Sequence, residues 1–181
     1  MMISFKSKIT AKILEYYFLN PDTERYANEL AKALELDPKN LHRKLEELEK
    51  EGLFKSEFRG KERYFSLNKK FALLDHYKQI FLKTFGLEHK LKQITKEVAG
   101  IKEAYIFGSY AREKMDSSSD IDLLIIGSHS ILELQKRINK LQKETGREFN
   151  IINLSEAEFK ERKKNDQLIK NIFKAGPIKL L

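Results

Sequence analysis

Apolar residues recur with helical spacing through the first hundred residues, then gather into short, nearly continuous runs separated by polar stretches. Ile9, Ile13, Leu14 and Tyr17 share one face of a first helix, which Asn20-Pro21-Asp22 ends. Ala27, Leu30, Ala31 and Leu34 mark a second helix from about Glu24 to Leu34, closed by the turn Glu35-Leu36-Asp37. Asp37 suits an N-cap with Pro38 at the first helical position, and Leu41, Leu45 and Leu48 form the buried stripe of a third helix stopping at Gly52. Leu53–Phe58 and Glu62–Leu67 read as two strands around Arg59-Gly60-Lys61, a hairpin with a basic tip. Phe71, Leu74, Tyr77, Ile80, Phe81 and Phe85 return to helical spacing, and Gly86 interrupts before a further helical stretch from Leu87 to Val98.

The second half carries a different signal. Ile101–Phe107 predicts a strand running into Gly108, and the run Ser119–Ile126 predicts another that carries Asp120 and Asp122 at its start. Leu132, Leu134, Ile138 and Leu141 suit a helix from Ile131 to Thr145 that ends at Gly146. Glu148–Leu154 reads as a third strand, and Ser155-Glu156-Ala157-Glu158 is a capping box opening a helix with Phe159 on its apolar side. Asn165 or Asp166 caps a last helix through Phe173, before Gly176-Pro177. The expected class is α+β, with helices and a hairpin in the first part and a three-stranded sheet with flanking helices in the second.

Between the first two of these strands lies the chemistry. Gly108-Ser109-Tyr110-Ala111-Arg112 follows a strand, so Ser109 can open a short helix and offer its hydroxyl and backbone N–H groups to phosphate, while glycine lets the backbone come close. Ten residues after Ser109 comes Ser119-Asp120-Ile121-Asp122. Side chains alternate faces along a strand, so Asp120 and Asp122 point the same way while Ile121, Leu123 and Ile125 face a core. Two carboxylates sharing a site are costly unless a cation neutralises them, and two aspartates with phosphate oxygens suit Mg²⁺.

Gly-Ser, ten residues, then Asp-x-Asp resembles the minimal nucleotidyltransferases of the DNA polymerase beta-like superfamily. The resemblance implies transfer of a nucleoside monophosphate from an NTP, ATP in the first instance, to a hydroxyl, with pyrophosphate leaving. Asp120 and Asp122 would hold Mg²⁺ or Mn²⁺, and Gly108 and Ser109, with help from Arg112, would anchor the outer phosphates; Arg112 as a surface ion-pair partner is the alternative. The family carries a third carboxylate on the next strand to take the proton of the attacking hydroxyl. Here the position falls on Asn150, which can coordinate a cation through its carbonyl but cannot accept a proton. Glu148, two residues earlier on the same face, supplies the missing carboxylate if the register shifts.

The first helices and hairpin, roughly residues 5–68, resemble winged helix-turn-helix transcription regulators, with Leu45-Glu46-Glu47-Leu48-Glu49-Lys50-Glu51-Gly52-Leu53 leaving the third helix for the wing. Under that resemblance Lys39, Asn40, His42, Arg43 and Lys44 on the third helix reach base edges or phosphates, and Arg59, Lys61 and Arg63 on the wing hold neighbouring phosphates. Glu46, Glu47, Glu49 and Glu51 crowd the far end of the same helix and would repel phosphate if they faced it. The expected domains are 1–68, a winged helix; 69–97, a helical linker; and 98–181, the nucleotidyltransferase-like part. The linker's aromatic stripe is too apolar to face water, so it packs on one of the two domains or on the same helix of a second chain in a homodimer.

The net charge of +8 divides as +1, +4 and +3 over those three regions. A basic chain suits a polyanionic partner, yet the almost balanced first region makes pattern, and not charge, the argument for double-stranded DNA. The absence of cysteine excludes a disulfide framework, a thiolate zinc site and a cysteine nucleophile. His42, His76, His89 and His129 have no paired metal spacing. No apolar run approaches a bilayer span, and Met1-Met2-Ile3-Ser4-Phe5-Lys6 lacks a signal peptide's apolar core, so a cytoplasmic protein with no membrane partner is expected. Two readings follow: a metal-dependent nucleotidyltransferase coupled to DNA binding, or a transcription regulator whose transferase fold senses NTP without turnover. By analogy with minimal nucleotidyltransferases that serve as antitoxins, a cognate toxin is a candidate acceptor. A plain interaction module is a third, weaker reading.

Overall fold

The computed structural model describes residue 5 and residues 7–116 and 119–181. Residues 1–4 and 6, where no signal peptide was expected, and residues 117–118 of the polar stretch before Asp120 lie outside the described residues. The chain forms two compact units, Met1–Leu87 and Glu88–Leu181. Among the described residues no helix is long and apolar enough to cross a membrane.

The first unit opens with α1 (Lys8–Leu19), capped by the Ser7 side chain. The second helix starts later than its apolar spacing predicts. Arg25–Tyr26 forms a short strand, β1, and α2 is Ala27–Leu34. Arg25 and Tyr26 satisfy their backbone groups against Phe65 and Tyr64 of the hairpin instead, a pairing between segments distant in sequence that a local period cannot reveal. In α3 (Pro38–Lys50), Asp37 accepts from the Asn40 N–H at 2.9 Å and Pro38 occupies the first turn, as its sequence predicts. Strands β2 (Phe54–Arg59) and β3 (Glu62–Leu67) pair in register around Gly60, giving the sheet order β1-β3-β2. Helix α4 (Leu74–Thr84) lies against α1 in this unit, and its stripe meets Phe5 and Phe18 through rings 5.4 and 5.7 Å from Phe81. The segment expected as a linker thus holds two helices, α4 in the first unit and α5 (Leu87–Glu97) at the start of the second.

The second unit is built on β4 (Ile101–Phe107), β5 (Ile121–Gly127) and β6 (Phe149–Leu154), with α6 (Gly108–Ala111) and α7 (Ile131–Thr145) between them and α8 (Glu156–Asn165) and α9 (Gln167–Lys174) after them. The sheet has four strands and not the three expected. Ile178–Lys179, after Pro177, adds β7 beside Tyr105 and Ile106, in the order β6-β5-β4-β7. A two-residue strand has no period to detect. β5 runs antiparallel to β4 and parallel to β6, so the sheet is mixed. Both faces of β5 are sealed: Ile121, Leu123 and Ile125 on one, and Leu124 and Ile126 on the other, in a cluster with Tyr105, Leu154, Phe159, Ile169 and Ile172. That second face is also the face of Asp122. Helices α8 and α9 cover its far end and leave the head of β5 open.

Candidate functional site

The sheet register brings the predicted polar residues together. Asp122 is the second residue of β5 and pairs with Phe107, the last of β4, on one side and with Asn150 of β6 on the other. Asp120 directly precedes the strand. The Asn150 side-chain N–H₂ donates to Asp120 Oδ2 at 3.1 Å and to Asp122 Oδ1 at 3.4 Å, so one amide bridges both carboxylates. Among the described residues no lysine or arginine makes a salt bridge to either aspartate. Burial pushes the Asp122 carboxyl above the usual aspartate range; the Asn150 hydrogen bond opposes this, the Asp120 charge adds to it, and the Arg112 charge lowers it.

The turn ahead of the aspartates is built around them. Gly108 sits at φ +70°, and a Cβ there would overlap Asp122 Oδ2 and lie 3.0 Å from its Cγ. Glycine is required twice, by the left-handed backbone and by the carboxylate pressed against it. From Gly108 the chain makes the single turn of α6, held by the Lys114 N–H donating to Ser109 O at 2.9 Å. Ser109 is half-buried and Arg112 exposed at its end. Beside this turn, on the α9 side, a cavity of about 200 Å³ opens between Phe107, Ala111, Leu168, Ile172 and Ala175.

Glu148, the alternative carboxylate, is exposed and lies just outside β6; its backbone carbonyl accepts from the Ile121 N–H at 2.9 Å. The register sets Asn150, and not Glu148, opposite Asp122.

One residue that the sequence reading passed over also serves the site. Arg147 is 3% exposed and donates from Nη1 to the Ser119 carbonyl at 2.9 Å, tying down the residue before Asp120. Ser119 is fixed from its other side, its hydroxyl donating to Asp116 at 2.9 Å while accepting from the Asp116 N–H at 3.1 Å. The available signal was an arginine placed directly after the helix-stopping Gly146 at the mouth of a strand.

Two carboxylates and an amide on one sheet face are an all-oxygen donor set once the amide is turned over, and this fits Mg²⁺ or Mn²⁺, which keep most of their waters and take few protein ligands. The unneutralised aspartate pair and the raised Asp122 carboxyl agree with that fit.

The basic residues of the first unit are arranged differently. His42 and Arg43 face Glu46 and Glu47 one turn on, and Lys44 pairs with Glu47. Arg63 is turned inward: it donates to Ser56 Oγ at 2.8 Å, pairs with Glu46 and Glu49 of α3 at 3.1 and 2.5 Å, and stacks on Phe65. Arg59 pairs with Glu24 and Glu57. Lys39, Asn40 and Lys61 are exposed and make no side-chain hydrogen bond among the described residues.

Residues 88–178 match the model of the nucleotidyltransferase domain family. A Methanocaldococcus jannaschii protein, provisionally named a protein adenylyltransferase, is 42% identical over 57 residues, which cover 29% of this chain and 58% of the relative; the chain thus spans under two thirds of that relative's length. Among solved structures, a toxin–antitoxin with AMP-PNP is similar at 14% identity and a TM-score of 0.39, covering 52% of this chain and 72% of that one. A Sulfolobus solfataricus protein, provisionally named a nucleotidyltransferase, is similar at 24% identity and a TM-score of 0.29, covering 41% of this chain and 68% of that one.

Proposed function

From the premise that this chain belongs to the nucleotidyltransferase domain family, we propose that it transfers a nucleoside monophosphate from an NTP to a hydroxyl on a protein acceptor, with pyrophosphate leaving. The observation that carries this is the pair Asp120 and Asp122, held on one face by a shared amide and backed by a glycine that admits nothing larger. The role of Asp120 and Asp122 is to hold the cation, with the Asn150 carbonyl as a further oxygen. A bound Mg²⁺ or Mn²⁺ supplies charge neutralisation for the phosphates and polarises the phosphorus under attack. Gly108 and Ser109 hold the outer phosphates through backbone N–H groups and the hydroxyl, and Arg112 adds its charge at their rim. Arg147 keeps the Asp120 backbone in place through Ser119. In the transfer the acceptor oxygen bonds to the α-phosphorus, the bond to pyrophosphate breaks, and the hydroxyl proton must leave. Asn150 cannot take it, so the proton passes to water or to a base on the acceptor. The provisional name of the Methanocaldococcus jannaschii relative supports a protein as acceptor; a cognate toxin is one such protein.

The first unit, in this proposal, is a winged helix with α3 as the recognition helix and the β2–β3 hairpin as the wing, binding double-stranded DNA. Lys39, Asn40 and Lys61, which have no side-chain partner among the described residues, make its first contacts, and Arg43 and Arg59 join by exchanging carboxylates for phosphates. A homodimer reading two half-sites fits this role. The bridging amide of Asn150 also favours a second reading: an NTP-sensing regulator whose site binds but does not turn over.

The test is pyrophosphate release and protein labelling from α-labelled NTPs with Mg²⁺ or Mn²⁺, comparing wild type, Asp120→Ala/Asp122→Ala and Asn150→Asp. Metal-dependent label that disappears in the double variant establishes the transferase. A silent wild type, activity gained by Asn150→Asp and DNA affinity that changes with NTP would establish the sensor instead.

A further inference from the structure

The cavity beside α6 borders the phosphate turn at Gly108 and Arg112, but its apolar walls have no part in the phosphate and cation roles above. Its walls are the Phe107 ring, the Ala111 methyl and the apolar side chains of Leu168, Ile172 and Ala175. At about 200 Å³ it is smaller than the roughly 300–1,000 Å³ of pockets that enclose a whole drug-sized ligand. It therefore takes one flat ring system and not an entire nucleotide. Its position is set by the site itself: Phe107 is the strand partner of Asp122, and Gly108 both touches the Asp122 carboxylate and borders the cavity. A ligand whose phosphates lie along Gly108 and Ser109 can place its other end here without leaving that surface.

The rim supplies direction. Arg112 borders the cavity, and a planar guanidinium is suited to lying over an aromatic face. Asn171 borders the cavity too; its Oδ1 accepts from Gln167 Nε2 at 2.9 Å, which leaves its N–H₂ as the group free to donate. Carbon walls with donors at the edge match a heteroaromatic ring bearing acceptor nitrogens. Leu168, 48% exposed at the mouth, is a large apolar residue that such a ring would cover.

We infer that this cavity receives the nucleobase of the NTP, and that it prefers purines, whose larger ring gains more from the Phe107 and Leu168 walls. The inference rests on the nucleotidyl-transfer reading, and the experiment separates the two. Binding of ATP, GTP, CTP and inorganic tripolyphosphate, each with Mg²⁺, is measured by calorimetry on the full chain, on Ala175→Phe, which fills the cavity from α9, and on Asn171→Leu, which removes the donor. Wild type should bind ATP and GTP more tightly than CTP, and tripolyphosphate more weakly than any of them. Ala175→Phe should weaken ATP roughly tenfold or more, the scale of a lost base stack, with tripolyphosphate unchanged; Asn171→Leu should weaken ATP less, again with tripolyphosphate unchanged. Tripolyphosphate binding by the variants also reports that the site is folded. If Ala175→Phe loses tripolyphosphate as well, the gentler Asn171→Leu decides. ATP affinity equal to that of tripolyphosphate in wild type, or untouched by both variants, overturns the base pocket while leaving nucleotidyl transfer standing. No binding of either ligand by wild type removes both.

Discussion

Gly108→Ala tests whether the turn and the aspartate are one object. Two costs add. At φ +70° an alanine sits in the left-handed region, about 1–2 kcal/mol above glycine. Its methyl also occupies the space of Asp122 Oδ2, so the carboxylate must swing away and give up its 3.4 Å hydrogen bond from Asn150, about a further 1 kcal/mol. The sum, about 2–3 kcal/mol, lowers the melting temperature of a unit of this size by roughly 8–24 °C. Label transfer should fall about a hundredfold or more, since moving the proposed cation-holding carboxylate by around 1 Å misplaces the reacting groups.

Gly60→Ala is the control, because Gly60 shares the strained φ of +63° yet a Cβ there meets nothing within 4 Å. It should cost only the backbone term and leave transfer unchanged. In an Asp122→Ala background, where the carboxylate is gone, Gly108→Ala should fall to the same backbone cost, a coupling of about 1 kcal/mol read from a thermal or urea double-mutant cycle. Equal cost in both backgrounds would refute the close approach of Gly108 and Asp122.

Three further outcomes follow from the geometry. Because the folded Asp122 carboxyl titrates above its unfolded value, its contribution to chelator-treated protein is full below the ordinary aspartate range and is lost as pH rises through the folded value. Asp122→Asn should therefore flatten the stability profile above the ordinary aspartate range and melt higher than wild type at neutral pH, while failing to support the proposed transfer. Arg63→Ala should destabilise the first unit by about 1–3 kcal/mol in urea unfolding, because Glu46 and Glu49 lose their arginine and the Phe65 ring its guanidinium, while Arg59→Ala at the exposed hairpin end leaves the midpoint unchanged. Arg147→Ala strands the Ser119 carbonyl, with a cost of about 1–3 kcal/mol and a raised Mg²⁺ requirement for label transfer; Arg147→Lys, which keeps a donor, should recover part of both.

Elements were legible where their signal is local. Asp37 with Pro38, and Ser155 with Glu158, announce helix starts because a cap is satisfied within one turn, and the structure has both. Gly146 closes α7 in the left-handed conformation for the same reason. The candidate site was legible because Asp120 and Asp122 are two residues apart at the head of a strand, and alternation sets them on one side. What escaped depends on distant partners. β1 and β7 are two residues each and exist through pairing with β3 and β4. Arg63 reads as a wing residue, but its carboxylates lie 14 and 17 residues earlier on α3, and only the packing of the hairpin on that helix turns it inward. The Arg147 contact closes a span of 28 residues in sequence, between a helix end and a polar loop.

Acidic residues fare in opposite ways on α3 and at the head of β5, and the contrast indicates where an external charge belongs. On α3, Glu46, Glu47 and Glu49 each meet an arginine, lysine or histidine within the fold. At the head of β5, Asp120 and Asp122 meet an amide, and burial makes ionisation of the second costly. A fold that neutralises carboxylates elsewhere yet leaves this pair together carries a standing cost that a cation would remove. Mg²⁺ or Mn²⁺ should then raise the melting temperature of wild type by mass action, with about 2.7 kcal/mol gained at a hundred times the dissociation constant. Asp120→Ala/Asp122→Ala should melt higher than wild type in chelator and lose the response to metal. Asn150→Asp, with a third carboxylate against the pair, should melt lower in chelator and respond more strongly. A wild type indifferent to both ions would mean that the carboxylate pair answers to a charge brought by some other ligand.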